Sequence, residues 1–435
     1  MKSNRLLIFV EEISERLIYT LDFVLADRNV QFELTNDQLA FSSYEGFKLN
    51  YSNRFIDGVL QLAPSRVLFD EDFVEYSITT AVFCKEIVLC FDEVADPLAS
   101  VFYHLVRFEE YVPVQRDVHN RFTAKMSFFY HKGWLEKAMC DRWAIDFIEW
   151  LKVKLNFYYT PKTNQVKVIP GFDIDNTYAY LHKEGIRTMA SNFKDFIKGK
   201  KESRNLRLKV LKGEEKDPYD TYDYLISLES RGVQFYLFWL LGDYARYDKN
   251  IAYNDPRHQR LIRKMDVHAE IGIHPSYKST VNPTLVHEEK NRLEQIVDHP
   301  IQHARQHFLK IELPFTYRKY LSAGITHDHS MGFADHIGFR CGTARPHCWF
   351  DLLRNERTKL IIHPFVYMDG TLNEYMKLTP DEAKVKINNL MHEIQLVGGN
   401  FECIWHNETL SDNRHWTGWR EVLEYTLSLA KNNNL

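Results

Sequence analysis

From residue 166 onward, short apolar runs alternate with amphipathic stretches, and this alternation narrows the possible folds more than any other feature of the chain. Val166–Asp173 reads as a strand, and Phe235–Leu241 is a second apolar run. A basic helix around Arg257–Lys264 precedes a strand at Ala269–His274, and a helix follows at Leu285–Val297. The pattern continues with strands at His303–Leu309, Leu360–Tyr367 and Phe401–His406, and helices at Phe315–Ala323, Asp381–Val397 and Trp419–Ala430. Strands that alternate with helices in this way pair in parallel, because each helix carries the chain back to the same edge. The repeat occupies 166–435, close to the roughly 250 residues of a (β/α)8 barrel. An open doubly wound sheet is the competing architecture. No glycine-rich phosphate loop follows the first strand, which argues against a nucleotide-binding fold.

The first 160 residues read differently. Leu6–Val10 is a buried strand, followed by a helix with Ile13, Leu17, Leu21 and Val24 at helical spacing. Strand-like runs occur at Val30–Leu34, Gly58–Leu62, Val67–Phe69 and Ile87–Cys90. Leu98–Tyr111 predicts a helix, and Trp143, Phe147 and Leu151 mark another helical face. The Tyr159–Asn164 stretch breaks the pattern with Pro161. The expected organisation is therefore α/β throughout: an N-terminal domain over 1–160, separable from a unit over 161–435. No chemistry is assigned to the N-terminal part; its polar Arg116–His119 stretch reads as a solvated loop, with a site as the alternative.

A net charge of -4 gives no reason to expect nucleic-acid binding. The six cysteines form no CxxC pair and no disulfide-dense spacing, as expected of free thiols in a reducing compartment. The N-terminal apolar run, Leu6–Val10, is too short for a signal-peptide core, and no run of about 18 apolar residues is present for a membrane span. A cytoplasmic location is expected.

Polar groups recur where strands end. Asp173-Ile-Asp175 ends the first strand, Glu270-Ile-Gly-Ile-His274 a later one, Arg305-Gln-His307 the next, and Trp405-His406-Asn407 the last. Residues two apart on a strand point to one side, so Asp173 and Asp175 form a carboxylate pair suited to one metal ligand and one base. Asp175, His274 and His307 would make an Asp/His/His set for zinc, cobalt, nickel or iron.

These strand ends resemble motifs of the polysaccharide deacetylase family, which includes chitooligosaccharide and peptidoglycan deacetylases. Phe172-Asp173-Ile-Asp175 is similar to an Asp-x-Asp version of the family's first motif, and Glu270-Ile271-Gly272-Ile273-His274 to its second. Arg305 resembles the arginine of the third, and Cys403-Ile404-Trp405-His406 the apolar strand ending in histidine of the fifth. The resemblance covers roughly 165–435. It implies a distorted (β/α) barrel and a divalent metal, zinc first, held by one Asp and two His. It further implies Asp173 as base, His406 as acid and Arg305 as the group orienting Asp173. The family's second motif has another histidine four residues after its first; here that position is Lys278. His307 is the candidate replacement ligand, and a weak or absent metal, with the Lys278 ammonium in the metal position, is the alternative.

The expected activity is metal-dependent hydrolysis of an acetyl group, N-acetyl first and O-acetyl second, from a saccharide. A catalytically silent relative that binds a saccharide or protein partner is the alternative, and another metal hydrolase acting on a phosphoester or glycosidic bond the third reading. Residues 181–217 hold eleven Lys or Arg against six Asp or Glu, read as a solvated insertion or a flap over an acidic glycan. His327, Asp328, His329 and His347 lie beyond the third motif, and Trp349, Phe350 and Trp405 are candidate sugar-stacking rings or core.

Overall fold

A computed structural model describes residues 5–160, 166–182 and 201–431; the rest of the basic stretch and of the linker lies outside these residues. The N-terminal part builds a four-stranded parallel sheet from β1 (Leu6–Phe9), β2 (Phe32–Thr35), β3 (Phe47–Asn50) and β4 (Leu60–Gln61), in the order β2-β1-β3-β4. Beside it lies an antiparallel sheet of β5 (Ile78–Phe83), β6 (Glu86–Phe91) and β7 (Val94–Ala95). Several of its helices start where side chains cap them: the Ser14 hydroxyl accepts from Leu17 N, and Asp96 accepts from Leu98 N and Ala99 N. The Val67–Phe69 run, expected as a strand, is instead part of a short 3-10 turn at Arg66–Leu68, where the Ser65 hydroxyl accepts from Val67 N. That local bond draws the backbone out of the extended state.

The second part is dominated by a nine-stranded, mostly parallel sheet. Its strands are β8 (Lys167–Ile174), β9 (Tyr236–Trp239), β10 (Glu270–Ile273), β11 (His303–Ala304), β12 (His327–Asp328), β13 (His347–Asp351), β14 (Glu356–Ile362), β15 (Tyr367–Met368) and β16 (Asn400–His406). The order is β13-β14-β12-β11-β10-β9-β8-β16-β15, with only the β13–β14 pair antiparallel. Period-two alternation divides each strand between two faces. On β16, Phe401, Cys403 and Trp405 join the large core beneath the helices, as do Phe172 and Ile174 of β8 and Leu237 and Trp239 of β9. The opposite face carries Glu402, Ile404 and His406 on β16, Gly171 and Asp173 on β8, and Tyr236 and Phe238 on β9.

The sheet curls so far that Glu402 of β16 lies 3.1 Å from His329, just beyond β12. The ladder nevertheless does not close among the described residues; β13 and β15 are its edges. The expected barrel is thus replaced by a curled sheet with an interrupted ladder. The gap falls at 363–366, where the chain passes from β14 to β15 through Pro364, which has no N–H to give. Met331 O accepts from Phe365 N on one side, and Glu402 O accepts from Val366 N on the other.

The two parts share buried charge. Arg340 donates to both oxygens of Glu110, at 2.8 and 2.6 Å, and Glu110 also accepts from Arg107 Nε at 2.7 Å. Burial pushes the Glu110 carboxyl up, but the two guanidiniums outweigh it and hold it at about 2. Arg345 pairs with Asp141 at 3.1 Å, and Arg142 with Glu393. Phe333, Phe350 and Leu352 pack into the N-terminal core. A chain starting near Tyr159 would uncover these side chains and remove the carboxylate partners of Arg340 and Arg345. Glu110→Ala leaves two arginines buried without their shared carboxylate. It is expected to cost about 3–5 kcal/mol, read from the urea midpoint, and to loosen both parts together.

Candidate active site

The C-terminal ends of parallel strands share one edge of a sheet, which is where such folds place their ligands. Here the ends of β8, β10, β11, β15 and β16 bring Asp173 and Asp175, His274, His307, Asp369 and His406 to one cavity of about 190 Å³, with Arg305 buried behind Asp173. Its wall includes Arg121, Phe308, Tyr375, Glu408 and Trp416, but not Lys278.

Asp175 sits between the imidazoles. Its Oδ1 is 3.1 Å from His274 Nε2, and its Oδ2 is 3.3 Å from His307 Nε2 and 4.0 Å from His406 Nε2. Each ring is oriented from behind. The Arg305 carbonyl, which can only accept, lies 2.5 Å from His274 Nδ1, so the proton is on Nδ1 and the lone pair on Nε2. Asp248 lies 2.9 Å from His307 Nδ1, and Asp369 2.9 Å from His406 Nδ1. Asp369 is itself fixed by the His406 N–H and the Thr409 hydroxyl, at 2.8 and 2.6 Å. Arg305 Nη1 donates to Asp173 Oδ1 at 2.8 Å, and Asp173 Oδ2 is 3.8 Å from His274 Nε2. The guanidinium lies so close to β8 that a Cβ at Gly171 would sit 2.5 Å from Arg305 Nη2, so any side chain there would push the guanidinium off its present position.

These donors fit a divalent ion. Asp175, His274 and His307 each offer a ligand atom within 4.8 Å of the others. Asp175 Oδ1 is buried and receives no hydrogen bond, although His274 Nε2 is close by. Two facing lone pairs with no proton between them suit a cation, and a ligating histidine ordinarily gives its other N–H to a carbonyl or carboxylate, as both do here. Lys278 is exposed on the turn Tyr277–Thr280, so its ammonium does not occupy the metal position.

Without an ion, protons fill the gap. Burial draws the His307 ring down, but Asp175 and Asp248 outweigh it and raise it to about 9. His406 is raised well above its usual value, with Asp369 overcoming burial and Asp175 and Asp173 adding to the effect. Burial pushes Asp175 up, yet the charge of His307 and the two imidazoles beside it leave it well below the usual carboxylate range. Burial raises Glu408 to about 7.

The motifs gave no sign of Asp248, Asp369, Glu408 or Arg121. The first three are lone carboxylates in loops, without a repeated spacing. Arg121 belongs to the N-terminal part: it pairs with Asp117 at 2.7 Å and donates to Phe308 O and the Tyr375 hydroxyl at 3.1 and 3.2 Å. Its neighbour His119 contacts the Tyr277 hydroxyl at 3.2 Å, so the stretch read as a solvated loop packs against the second part, although only Arg121 reaches the cavity wall. Trp349, Phe350 and Trp405 are fully packed core rings, out of reach of a ligand. His347 is buried near the Arg345 carbonyl, away from the cavity.

Residues 6–156 match the sequence model of a family of unknown function (DUF7033). No curated protein matches the chain. Among solved structures, a "putative polysaccharide deacetylase" from Mycobacterium smegmatis shares 13% identity at a TM-score of 0.40, covering 64% of this chain and 93% of its own. A polysaccharide deacetylase from Bacillus cereus shares 10% at 0.32, covering 62% and 89%. A "putative glycoside hydrolase/deacetylase" from Parabacteroides distasonis shares 10% at 0.34, covering 62% and 67%. Likeness of this degree transfers no activity, and the residues of the site carry the functional reading. Among the described residues, no helix is long and apolar enough to cross a membrane.

Because His307 and His406 are raised in the folded state, their contribution to stability is fully present below about pH 6.5. For His307 it is lost as pH rises through about 9. Chelator-treated protein is therefore expected to melt at progressively lower temperature from pH 6.5 to 9.5. His307→Gln should flatten that slope, and an unchanged slope would refute the assignment.

Proposed function

We propose that the protein is a metal-dependent carbohydrate deacetylase that hydrolyses an acetamide on a saccharide. The observation that carries the reading is the grouping of Asp175, His274 and His307 around one point, with Asp173 on one side and His406 on the other. A divalent ion there, zinc first, would act as a Lewis acid toward the acyl carbonyl and the attacking water.

The chain's own groups supply the rest. Asp173 is the base that takes the proton from water, and Arg305 aims it through a charge-assisted bond. His406, protonated under the influence of Asp369, presents Nε2 to the cavity and gives its proton to the departing amine. Asp369 also fixes the ring so that Nδ1, not Nε2, is engaged behind it. Tyr375 and Trp416 line the cavity where a sugar ring could stack. Exposure of Lys278 removes the main argument for a silent relative.

Acetate release from N-acetylglucosamine oligomers tests the reading. Asp175→Asn should abolish both metal retention and acetate release. Asp173→Asn and His406→Asn should keep the metal while lowering kcat by about 10²–10⁴. Metal binding with hydrolysis only of phosphoesters or glycosides would favour another hydrolase, and no metal binding a silent one. Arg121→Ala should raise KM about tenfold, the scale of one hydrogen bond to a charged group, with kcat little changed. A fall in kcat alone would place Arg121 outside substrate binding.

A further inference from the structure

The inner face of the curled sheet carries a second polar cluster, below the cavity and separate from it. Its centre is Glu402, four residues before His406 on β16, or roughly 13 Å along a strand. Glu402 is buried to 2% exposure inside the sheet, yet among the described residues no arginine or lysine pairs with it. Four histidines surround it. His329 Nδ1 lies 3.1 Å from Glu402 Oε2, and His363 Nδ1 lies 3.3 Å from Glu402 Oε1. Behind each stands another ring: His303 Nδ1 is 3.0 Å from His329 Nε2, and His327 Nδ1 is 2.9 Å from His363 Nε2. The rings stack in pairs, His329 on His363 at 4.3 Å and His303 on His327 at 4.4 Å.

We propose that His329, His363 and Glu402 form a second metal site, for a zinc-class divalent ion, with His303 and His327 as its supporting shell. One ligand atom from each of the three lies within 4.8 Å of the others. Two ligands of one tetrahedral ion, each about 2.0–2.1 Å from it, stand about 3.3 Å apart, which matches the spacing of each histidine Nδ1 to the carboxylate. The tautomers are consistent with this. If the Nδ1 atoms of His329 and His363 face the ion, each Nε2–H donates outward to His303 or His327, the arrangement that orients ligating histidines. A nitrogen-rich set with one carboxylate suits zinc, nickel or copper and disfavours magnesium or calcium. Access is from the edge where β10 and β11 begin: His303 and His363 side chains are 13% exposed, and Glu270 lies at the rim, 3.7 Å from His303. The rival arrangement is ion-free, with two relays, His303 to His329 and His327 to His363, converging on the two Glu402 oxygens.

The two sites share no ligand, so the second can be tested whatever the fate of the first. Zinc chloride is titrated by calorimetry into chelator-stripped full-length protein, and bound zinc is counted after dialysis. Wild type should hold two ions per chain and Asp175→Asn one. Adding His363→Asn or Glu402→Gln to Asp175→Asn should remove that remaining ion, with circular dichroism unchanged for at least one of the two. Asp175→Asn protein that binds no zinc would overturn the proposal in favour of the ion-free relays, even if wild type binds one ion at the cavity. Retention of the ion by both double variants would overturn it as well, because the ligands would lie elsewhere.

Discussion

Arg305 is the residue on which both polar sites depend. Its guanidinium is buried, lies 4.2 Å above the Phe238 ring, and spends its donors on Asp173 Oδ1 and the His329 carbonyl. Its own carbonyl accepts from His274 Nδ1 and so decides which nitrogen of that ring faces Asp175. A single residue thus fixes a carboxylate, a tautomer and the backbone at the head of the histidine cluster. A buried guanidinium must be compensated by a nearby charge and by directed hydrogen bonds, and here the compensating groups are the site itself. Gly171 is the matching constraint on β8, since any side chain there would displace Arg305.

The curled sheet explains how so many ionisable groups tolerate burial. One face of the central strands is covered by helices and, Asp328 of β12 apart, is apolar, as Phe401, Cys403 and Trp405 show. The other face turns toward an interior too narrow for helices, where Ile169, Tyr236 and Phe238 form a small apolar patch beside the polar groups. Within that interior every carboxylate meets a partner: Asp173 meets Arg305, Asp369 meets His406, and Glu402 meets His329 and His363. Where no ion is bound, hydrogen bonds from the two rings overcome the effect of burial and hold the Glu402 carboxyl far below its usual range.

Much of this was legible because it follows period two. The parallel strands and their helices could be read from alternating apolar runs, and Asp173, Asp175, His274, Arg305 and His307 from polar residues at strand ends. The closed barrel could not, because a ladder break at Pro364 depends on which neighbours a strand finds, not on its own pattern. The second histidine cluster carries a signal of the same kind, because His327-Asp-His329 could be read as able to reach a metal. His327 and His329 alternate around Asp328, as His303 and Arg305 alternate around Ala304, so each pair shares the inner face while Asp328 turns back to the Tyr317 hydroxyl at 2.8 Å. Asp248 and Asp369 had no such signal; each orients a histidine through a contact that only the folded chain creates.

The same holds for the N-terminal part, whose sequence showed no chemistry. Phe308 and Leu309, at the cavity wall, have positive φ of 61° and 52°, in the left-handed region that costs a non-glycine residue about 1–2 kcal/mol each. Strain of that kind persists only where surrounding contacts fix it. One such contact is Arg121, which donates to the Phe308 carbonyl, while His119 packs 5.0 Å from the Phe308 ring. The strained pair follows His307 directly, so the loop that carries Arg121 braces the backbone beside a candidate ligand as well as walling the cavity. Together with the buried Arg340–Glu110 pair, this makes the N-terminal part a structural component of the site, and it accounts for an interface richer in buried charge than a simple tether between domains would need.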